Sequence, residues 1–260
     1  MTSPNPEPSA EQATAVHALR ILTVNTHKGF SPLNRRFVLP ELREAVRTLG
    51  ADVVFLQEVL GMHRLHGQKF DNWSDIPQYE FLADSMWPVF AYGRNAVYPD
   101  GEHGNALLSK FPIVRHENLD VTVNGHEERG LLHSVLDVPG QPDVHTICVH
   151  LGLHERQRQQ QLKLLCELLD RLPPFEPVIV AGDFNDWRKR ADAQLAECDM
   201  VEVFTQAFGA PAKSFPARLP LLCLDRVYIR NATAYLPKVL SRKPWSHLSD
   251  HVPLAVEVRL

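Results

Sequence analysis

Cysteine is scarce in this 260-residue chain: Cys148, Cys166, Cys198 and Cys223 lie far apart and form no CxxC pair. That spacing argues against a zinc knuckle or a dense disulfide framework, and buried free thiols are the simpler expectation. No run of apolar residues is long enough to cross a bilayer. The first eighteen residues, MTSPNPEPSAEQATAVHA, lack the basic-then-apolar layout of a secretory signal, so a cytoplasmic protein is expected. Neither sign of charge dominates. With 27 Lys and Arg against 31 Asp and Glu, the net charge is -4, which excludes binding to nucleic acid through bulk charge and leaves a local basic groove open. The 44% hydrophobic, 22% charged and 8% aromatic composition excludes a disordered or fibrous chain.

What is present is a succession of short apolar strands. Residues 1–17, rich in Pro, Ser, Ala and Glu without an apolar period, read as a flexible tail. Residues 18–260 read as one domain, since no internal repeat or linker divides them. Leu19–Asn25, Ala51–Glu58, Asn105–Ser109, Leu131–Leu136, Val144–His150, Pro177–Asp183, Leu224–Ile229 and Val252–Val258 are the expected strands. Leu39–Leu49, closed by Gly50, has the spacing of an amphipathic helix with a C-cap. So does His154–Arg171, with Leu162, Leu165, Leu168 and Leu169 on one stripe and Gln and Arg opposite. Many strands with few helices favour sheet packed on sheet over a doubly wound parallel sheet.

The chemistry sits where these strands end. Asn25, Glu58, His150, Asp183, Asp225 and Asp250 each terminate or border an apolar run. Singly, each has a bland explanation as a turn former or cap. Six in one chain point to strand ends gathered at one rim. In Gly182-Asp183-Phe184-Asn185 an Asp can activate a water and an Asn two residues on can hydrogen-bond a developing anion; the alternative is an Asx-turn. Ser249-Asp250-His251 offers a carboxylate suited to a hard metal beside an imidazole.

In order along the chain, Val24-Asn25, Leu56-Gln57-Glu58, Gly104–Ser109, Val149-His150-Leu151, Gly182–Asn185, Leu224–Val227 and Ser249–His251 resemble the endonuclease/exonuclease/phosphatase superfamily. That group includes deoxyribonuclease I, abasic-site endonucleases, bacterial sphingomyelinases and inositol-polyphosphate 5-phosphatases. The runs Thr26–Phe30 and Ala91–Pro99 look like those of a bacterial subgroup. The resemblance implies a four-layer α/β/β/α sandwich, two mixed, mainly antiparallel sheets packed face to face with helices outside. It also implies a Mg²⁺ site, with Mn²⁺ as an alternative ion, formed by Glu58, Asn25 and Asp250. Asp183 would activate the attacking water and Asn185 hold the phosphate. His251, oriented by Asp225, would contact the phosphoryl group, and His150 would be a phosphate donor or leaving-group acid. Where the abasic-site enzymes carry Tyr, this chain reads Gly101-Glu102-His103-Gly104, and Glu102 is either a partner orienting His150 or an exposed turn carboxylate.

The substrate must come from the loops. Lys28–Arg36, Arg188–Arg190 and Arg242–Trp245 each set cations, two of them with aromatics, beside a motif, as a nucleic-acid backbone requires. Lys28, Arg94, Asn105, Arg129 and Trp245 are the candidate substrate contacts, although a solvated loop or a buried ion pair explains any one of them. The leading expectation is a monomeric, metal-dependent nuclease cleaving DNA. A phosphodiesterase or phosphatase acting on a phospholipid or small phosphorylated metabolite is the alternative, and a catalytically silent binding module a third.

Overall fold

A computed structural model describes residues 18–260 except 64–68, 71, 85, 124 and 126; the expected tail at 1–17 lies outside the described residues. The strands are β1 (Ala18–Asn25), β2 (Val53–His63), β3 (Val89–Tyr98), β4 (Gly101–Ser109), β5 (Ile113–Asp120), β6 (Gly130–Leu136), β7 (Val144–His150), β8 (Val178–Asp183), β9 (Val201–Glu202), β10 (Asp225–Arg230), β11 (Thr233–Val239) and β12 (Leu254–Arg259). The helices are α1 (Leu39–Leu49), α2 (Gln78–Ala83), α3 (Glu155–Leu169), α4 (Ala191–Ala196) and α5 (Val203–Phe208).

The strands form two six-stranded sheets, ordered β11-β12-β1-β2-β4-β3 and β5-β6-β7-β8-β10-β9. Each has one parallel pair, β1 with β2 and β7 with β8. Parallel neighbours need a crossover, and α1 and α3 supply the two. Pro40 in the first turn of α1 and left-handed Gly50 at its end (φ 66°) bound that helix.

Period-2 alternation sorts each strand between two clusters. Leu19, Ile21, Phe55 and Leu107 of the first sheet meet Leu132, Val144, Ile179 and Val227 of the second between the sheets. Alternate residues Leu22, Val24, Val54 and Leu56 face outward onto Leu39, Leu42 and Val46 of α1. On the other flank Ile147, Val149 and Val180 pack under Leu162, Leu165 and Leu169 of α3 and Leu195 of α4. The result is the expected four-layer sandwich.

One expectation needs correction, and two features go beyond the sequence reading. Cys166 and Cys198 form a disulfide between α3 and the turn after α4, while Cys148 and Cys223 are buried free thiols. Scarcity and spacing exclude a framework but say nothing of one pair that folding brings together. The polar face of α3 is not wholly solvated: Gln157, Arg158 and Gln161 are buried. They bond the Val123, Gly152 and Val121 carbonyls respectively, so these polar side chains satisfy loop backbone that water cannot reach. The expected strands omit β3, β5, β9 and β11, the four edges of the two sheets, where exposure on one side breaks up the apolar pattern. No described helix is long and apolar enough to cross a membrane.

Candidate active site

The inward-facing series on six strands change character toward one rim. Leu19-Ile21-Thr23-Asn25, Val53-Phe55-Gln57, Leu107-Asn105-His103, Val144-Thr146-Cys148-His150, Ile179-Ala181-Asp183 and Ile229-Val227-Asp225 run from apolar, through small or neutral polar, to ionisable or amide side chains. The middle layer is bonded across strands. Gln57 Nε2 donates to Thr23 Oγ1 at 3.3 Å and to Cys148 Sγ at 3.2 Å, and the Cys148 thiol donates to Leu56 O. This layer bonds polar groups that would otherwise be buried without partners. It also isolates the rim charges from the apolar core.

Glu58 departs from the alternation because β2 bulges. Its register with β4 shifts between Leu56 and Val59, and Glu58 takes φ 55°. Bulges re-aim side chains beside functional sites, and a left-handed non-glycine residue persists only where its surroundings hold it. Thr26 does so here, its hydroxyl donating to the carbonyls of Gln57 and Glu58 at 2.9 and 3.1 Å. Gly182 is obligatory on β8: with φ 148°, a Cβ there would stand 2.0 Å from Val149 O. The close approach sets His150 beside Asp183 in the parallel register of β7 and β8.

Around Asp183 the partners are specific. Asn25 Nδ2 donates to Asp183 Oδ2 at 3.1 Å and faces Glu58 Oε1 at 3.4 Å. The Asn185 backbone N–H donates to Asp183 Oδ1 at 2.9 Å, while Asn185 Nδ2 donates to Leu151 O. The Asx-turn therefore exists, and it serves to aim both side chains. His150 Nε2 and His251 Nε2 stand 3.7 and 3.8 Å from Asp183 Oδ2. His251 Nδ1 is 2.8 Å from Asp225 Oδ2. Asp250 Oδ2 lies 3.7 Å from His27 Nε2.

The two histidines are driven in opposite directions. Burial, reinforced by the Arg129 charge and by His103, His251 and Lys28, holds His150 well below the ordinary imidazole range. Burial also opposes charge on His251, but the Asp225 and Asp183 carboxylates outweigh it and push its pKa up to about 10. Burial raises Asp183 to about 6 against the pull of His251, with Asp225 and Glu58 adding to the rise. A neutral imidazole, an imidazolium and a carboxyl near neutrality thus border one point.

The donor set suits a hard cation. Glu58, Asp183, Asp225, Asp250 and the Asn25 amide border this rim, an oxygen-rich set of the kind that holds Mg²⁺ through one or two carboxylates. One ligand atom each from Asp183, Asp225 and His251 lie within 4.8 Å of one another. Within that trio Asp225 and His251 are hydrogen-bonded to each other, and Asp183 Oδ2 stands 3.8 Å from His251 Nε2.

The candidate substrate contacts divide. Lys28 and Arg129 act electrostatically on His150 and His103, and Arg129 Nε donates to Leu151 O. Asn105 Nδ2 bridges the Gly130 and Cys148 carbonyls, and its buried Oδ1 has no partner among the described residues. Arg94 is largely exposed and pairs with Glu102 at 3.4 Å, so Glu102 is engaged by Arg94. Trp245 does not join the cluster. It packs with Leu248, Leu42 and Ala45, and its edge lines an apolar hollow with Glu41, Glu44 and Leu49 of α1. Of the basic loops, Arg36 pairs with Glu41, Arg190 with Glu155, and Arg188 lies over the Trp187 ring. His103 and Gln57 lie inside motifs quoted from the sequence but carry no role there. The alternation Leu107-Asn105-His103 was the available signal.

The sequence profile of the Endonuclease/Exonuclease/phosphatase family matches residues 22–251. The chain is 54% identical over 250 residues to "Uncharacterized protein YbhP" of Escherichia coli K12, covering 95% of this chain and 98% of that one. Among solved structures, an endonuclease/exonuclease/phosphatase from Beutenbergia cavernae superposes with a TM-score of 0.75 at 22% identity, over 94% of this chain and 72% of its own. D. rerio TDP2 complexed with a single-strand DNA product superposes with 0.67 at 19% identity, over 94% and 99%. These last two likenesses are of fold. The profile match and the bacterial relative, together with the rim just described, show that this chain belongs to the endonuclease/exonuclease/phosphatase family, whose members are phosphoester hydrolases.

Proposed function

We propose that residues 18–260 form one catalytic domain that hydrolyses phosphodiester bonds of DNA with a divalent cation, Mg²⁺ first. The observation that carries the reading is Asp183: a buried carboxyl raised to about 6, flanked by a neutral His150 and a protonated His251. A base of that pKa takes a proton from water at neutral pH. Asn25 and the Asn185 backbone N–H fix its two oxygens, so the lone pair that receives the proton is held in one direction. His251, tethered by Asp225, keeps its positive charge at Nε2 for a phosphoryl oxygen. His150, kept neutral, serves as a hydrogen-bond donor to phosphate rather than as an acid. The Asn185 side chain and Arg129 complete the anion contacts. Glu58, Asn25 and Asp250 would hold the cation, which when bound neutralises charge developing on the phosphoryl and leaving oxygens.

DNA is favoured over a smaller ester because the positive charges of Lys28 and Arg129 are both felt at His150, and TDP2, solved with a single-strand DNA product, shares the fold over nearly its whole length. The test is Mg²⁺-dependent hydrolysis by wild type and Asp183→Ala on plasmid DNA, an abasic duplex, RNA, mixed phospholipid vesicles and bis-p-nitrophenyl phosphate. DNA cleavage lost in the variant supports the reading. Hydrolysis confined to lipid or the small diester overturns the choice of substrate.

A further inference from the structure

We propose that a cavity beside the rim is a nucleotide subsite, taking one unstacked base against Phe70 and Tyr98 and the adjoining phosphate between Lys28 and Lys69. The inference rests on the nuclease reading and extends it, because it assigns a recognition function to residues outside the catalytic cluster.

The cavity has a volume of about 440 Å³, within the range of about 300–1,000 Å³ of small-ligand pockets. That is space for one nucleotide unit and not for a stacked duplex. Its described lining combines rings (Phe30, Phe70, Tyr98), cations (Lys28, Lys69) and the polar His63 and Asn34, with no carboxylate among the described lining residues. Rings beside cations fit a flat apolar body carrying a negative charge. A lipid chain would need more depth and no second lysine, and inorganic phosphate would need no rings.

Its place relative to the chemistry follows from two contacts. The Tyr98 ring stands 5.9 Å from that of His103, the residue at the rim end of the inward face of β4. Lys28 lines the cavity and directly follows His27, whose Nε2 is 3.7 Å from the rim residue Asp250. A strand whose scissile phosphate sits by His150 therefore passes Lys28 to reach the cavity.

The wall is built and held rather than an accidental gap. His27, Lys28, Leu33 and Asn34 all have positive φ, at 47°, 56°, 65° and 53°. Such a loop is kept only by over-determination from its surroundings, and buried Gln78 provides it. Gln78 Nε2 donates to Lys28 O at 2.9 Å, and its Oε1 accepts the N–H of Leu60, another lining residue, at 3.0 Å. Gly29 completes the fit: a Cβ there would meet Gln78 Nε2 at 2.9 Å and Phe37 at 3.0 Å. One amide thus positions both sides of the cavity.

The experiment is calorimetric binding to the full chain in EDTA, where no turnover occurs, with dAMP and 2-deoxyribose 5-phosphate as probes. Wild type is expected to bind dAMP about tenfold more tightly than the sugar phosphate, the scale of one base stacked on a ring. Phe70→Leu and Tyr98→Leu, which keep apolar bulk and remove the ring face, should each bring the ratio toward one. Lys69→Ala, on an exposed turn, should weaken both probes alike and keep the ratio. Equal binding of the two probes by wild type, or a ratio unchanged in both ring variants, overturns the subsite. If base-dependent binding holds while DNA is not cleaved with Mg²⁺, the nuclease reading fails and the nucleotide subsite is supported on its own. Cleavage with base-independent binding does the reverse.

Discussion

His251 Nδ1 and Asp225 Oδ2 are 2.8 Å apart, both buried, although Asp225 opens β10 of one sheet and His251 precedes β12 of the other. The bond closes the rim across the sandwich. Asp225→Asn leaves the shape and removes the charge that outweighs burial at His251, so the imidazolium should become neutral near pH 7. We expect kcat to fall about 100-fold, within the range for a positioned proton-handling group. A histidine-resolved NMR titration should show the His251 transition moving down from its position near 10, and an unmoved transition would sink the assignment.

Metal binding should be visible without turnover. If Glu58 is the principal ligand, millimolar Mg²⁺ raises the melting temperature of wild type by roughly 5 °C, the scale of a ligand present at about 100 times its Kd. Glu58→Gln should lose most of that rise. An equal Mg²⁺ shift in both proteins would place the ion elsewhere.

Gln78 joins β2 to the loop after β1 through one buried and one part-buried hydrogen bond. Gln78→Ala leaves the Leu60 N–H and the Lys28 carbonyl without partners and opens a small void. The expected cost is about 2–4 kcal/mol in urea unfolding, with weaker dAMP binding.

The Cys166–Cys198 disulfide closes a sequence separation of 32 residues and pins α3 to the turn after α4. Cys166→Ser should lower stability by roughly 2–4 kcal/mol under oxidising conditions and by little in the presence of reductant. Thiol counting on the denatured, unreduced chain should find the other two cysteines alone. Four reactive thiols would show that the bond is absent.

Away from the rim, a second buried network sets the acid limit. His133 Nε2 lies 2.9 Å from His145 Nδ1, His145 Nε2 is 2.6 Å from Glu176, and His133 Nδ1 faces Glu117 at 3.4 Å. Burial lowers the His133 pKa below 6.5, with His145 and Arg115 in the same direction and Glu117 opposed. The unfolded chain therefore takes up the proton more readily than the folded one. Stability is at its fullest above pH 6.5 and declines as pH falls below it. His133→Gln, which can still donate to His145 Nδ1, should flatten the loss between pH 7 and pH 5 in urea unfolding. An equal loss in both proteins would remove His133 as its source.

The sequence alone determined the elements with strong local signals. Gly50 ended α1, alternation marked the central strands, and the ordered motifs from Asn25 to His251 identified the family. A motif is legible because its residue types are required at fixed spacing along the chain. What lay between strands was not legible. Nothing local announces that Cys166 meets Cys198, that Thr26 holds the Glu58 bulge, or that Glu102 turns to Arg94. Trp245, close in sequence to Ser249–His251, read as a substrate contact, yet α1 covers it. The pKa values are of the same kind. Asp183 near 6 and His251 near 10 depend on burial and on charges carried by other strands. Tertiary structure alone decides these, because desolvation and Coulomb interaction act through space and not along the chain.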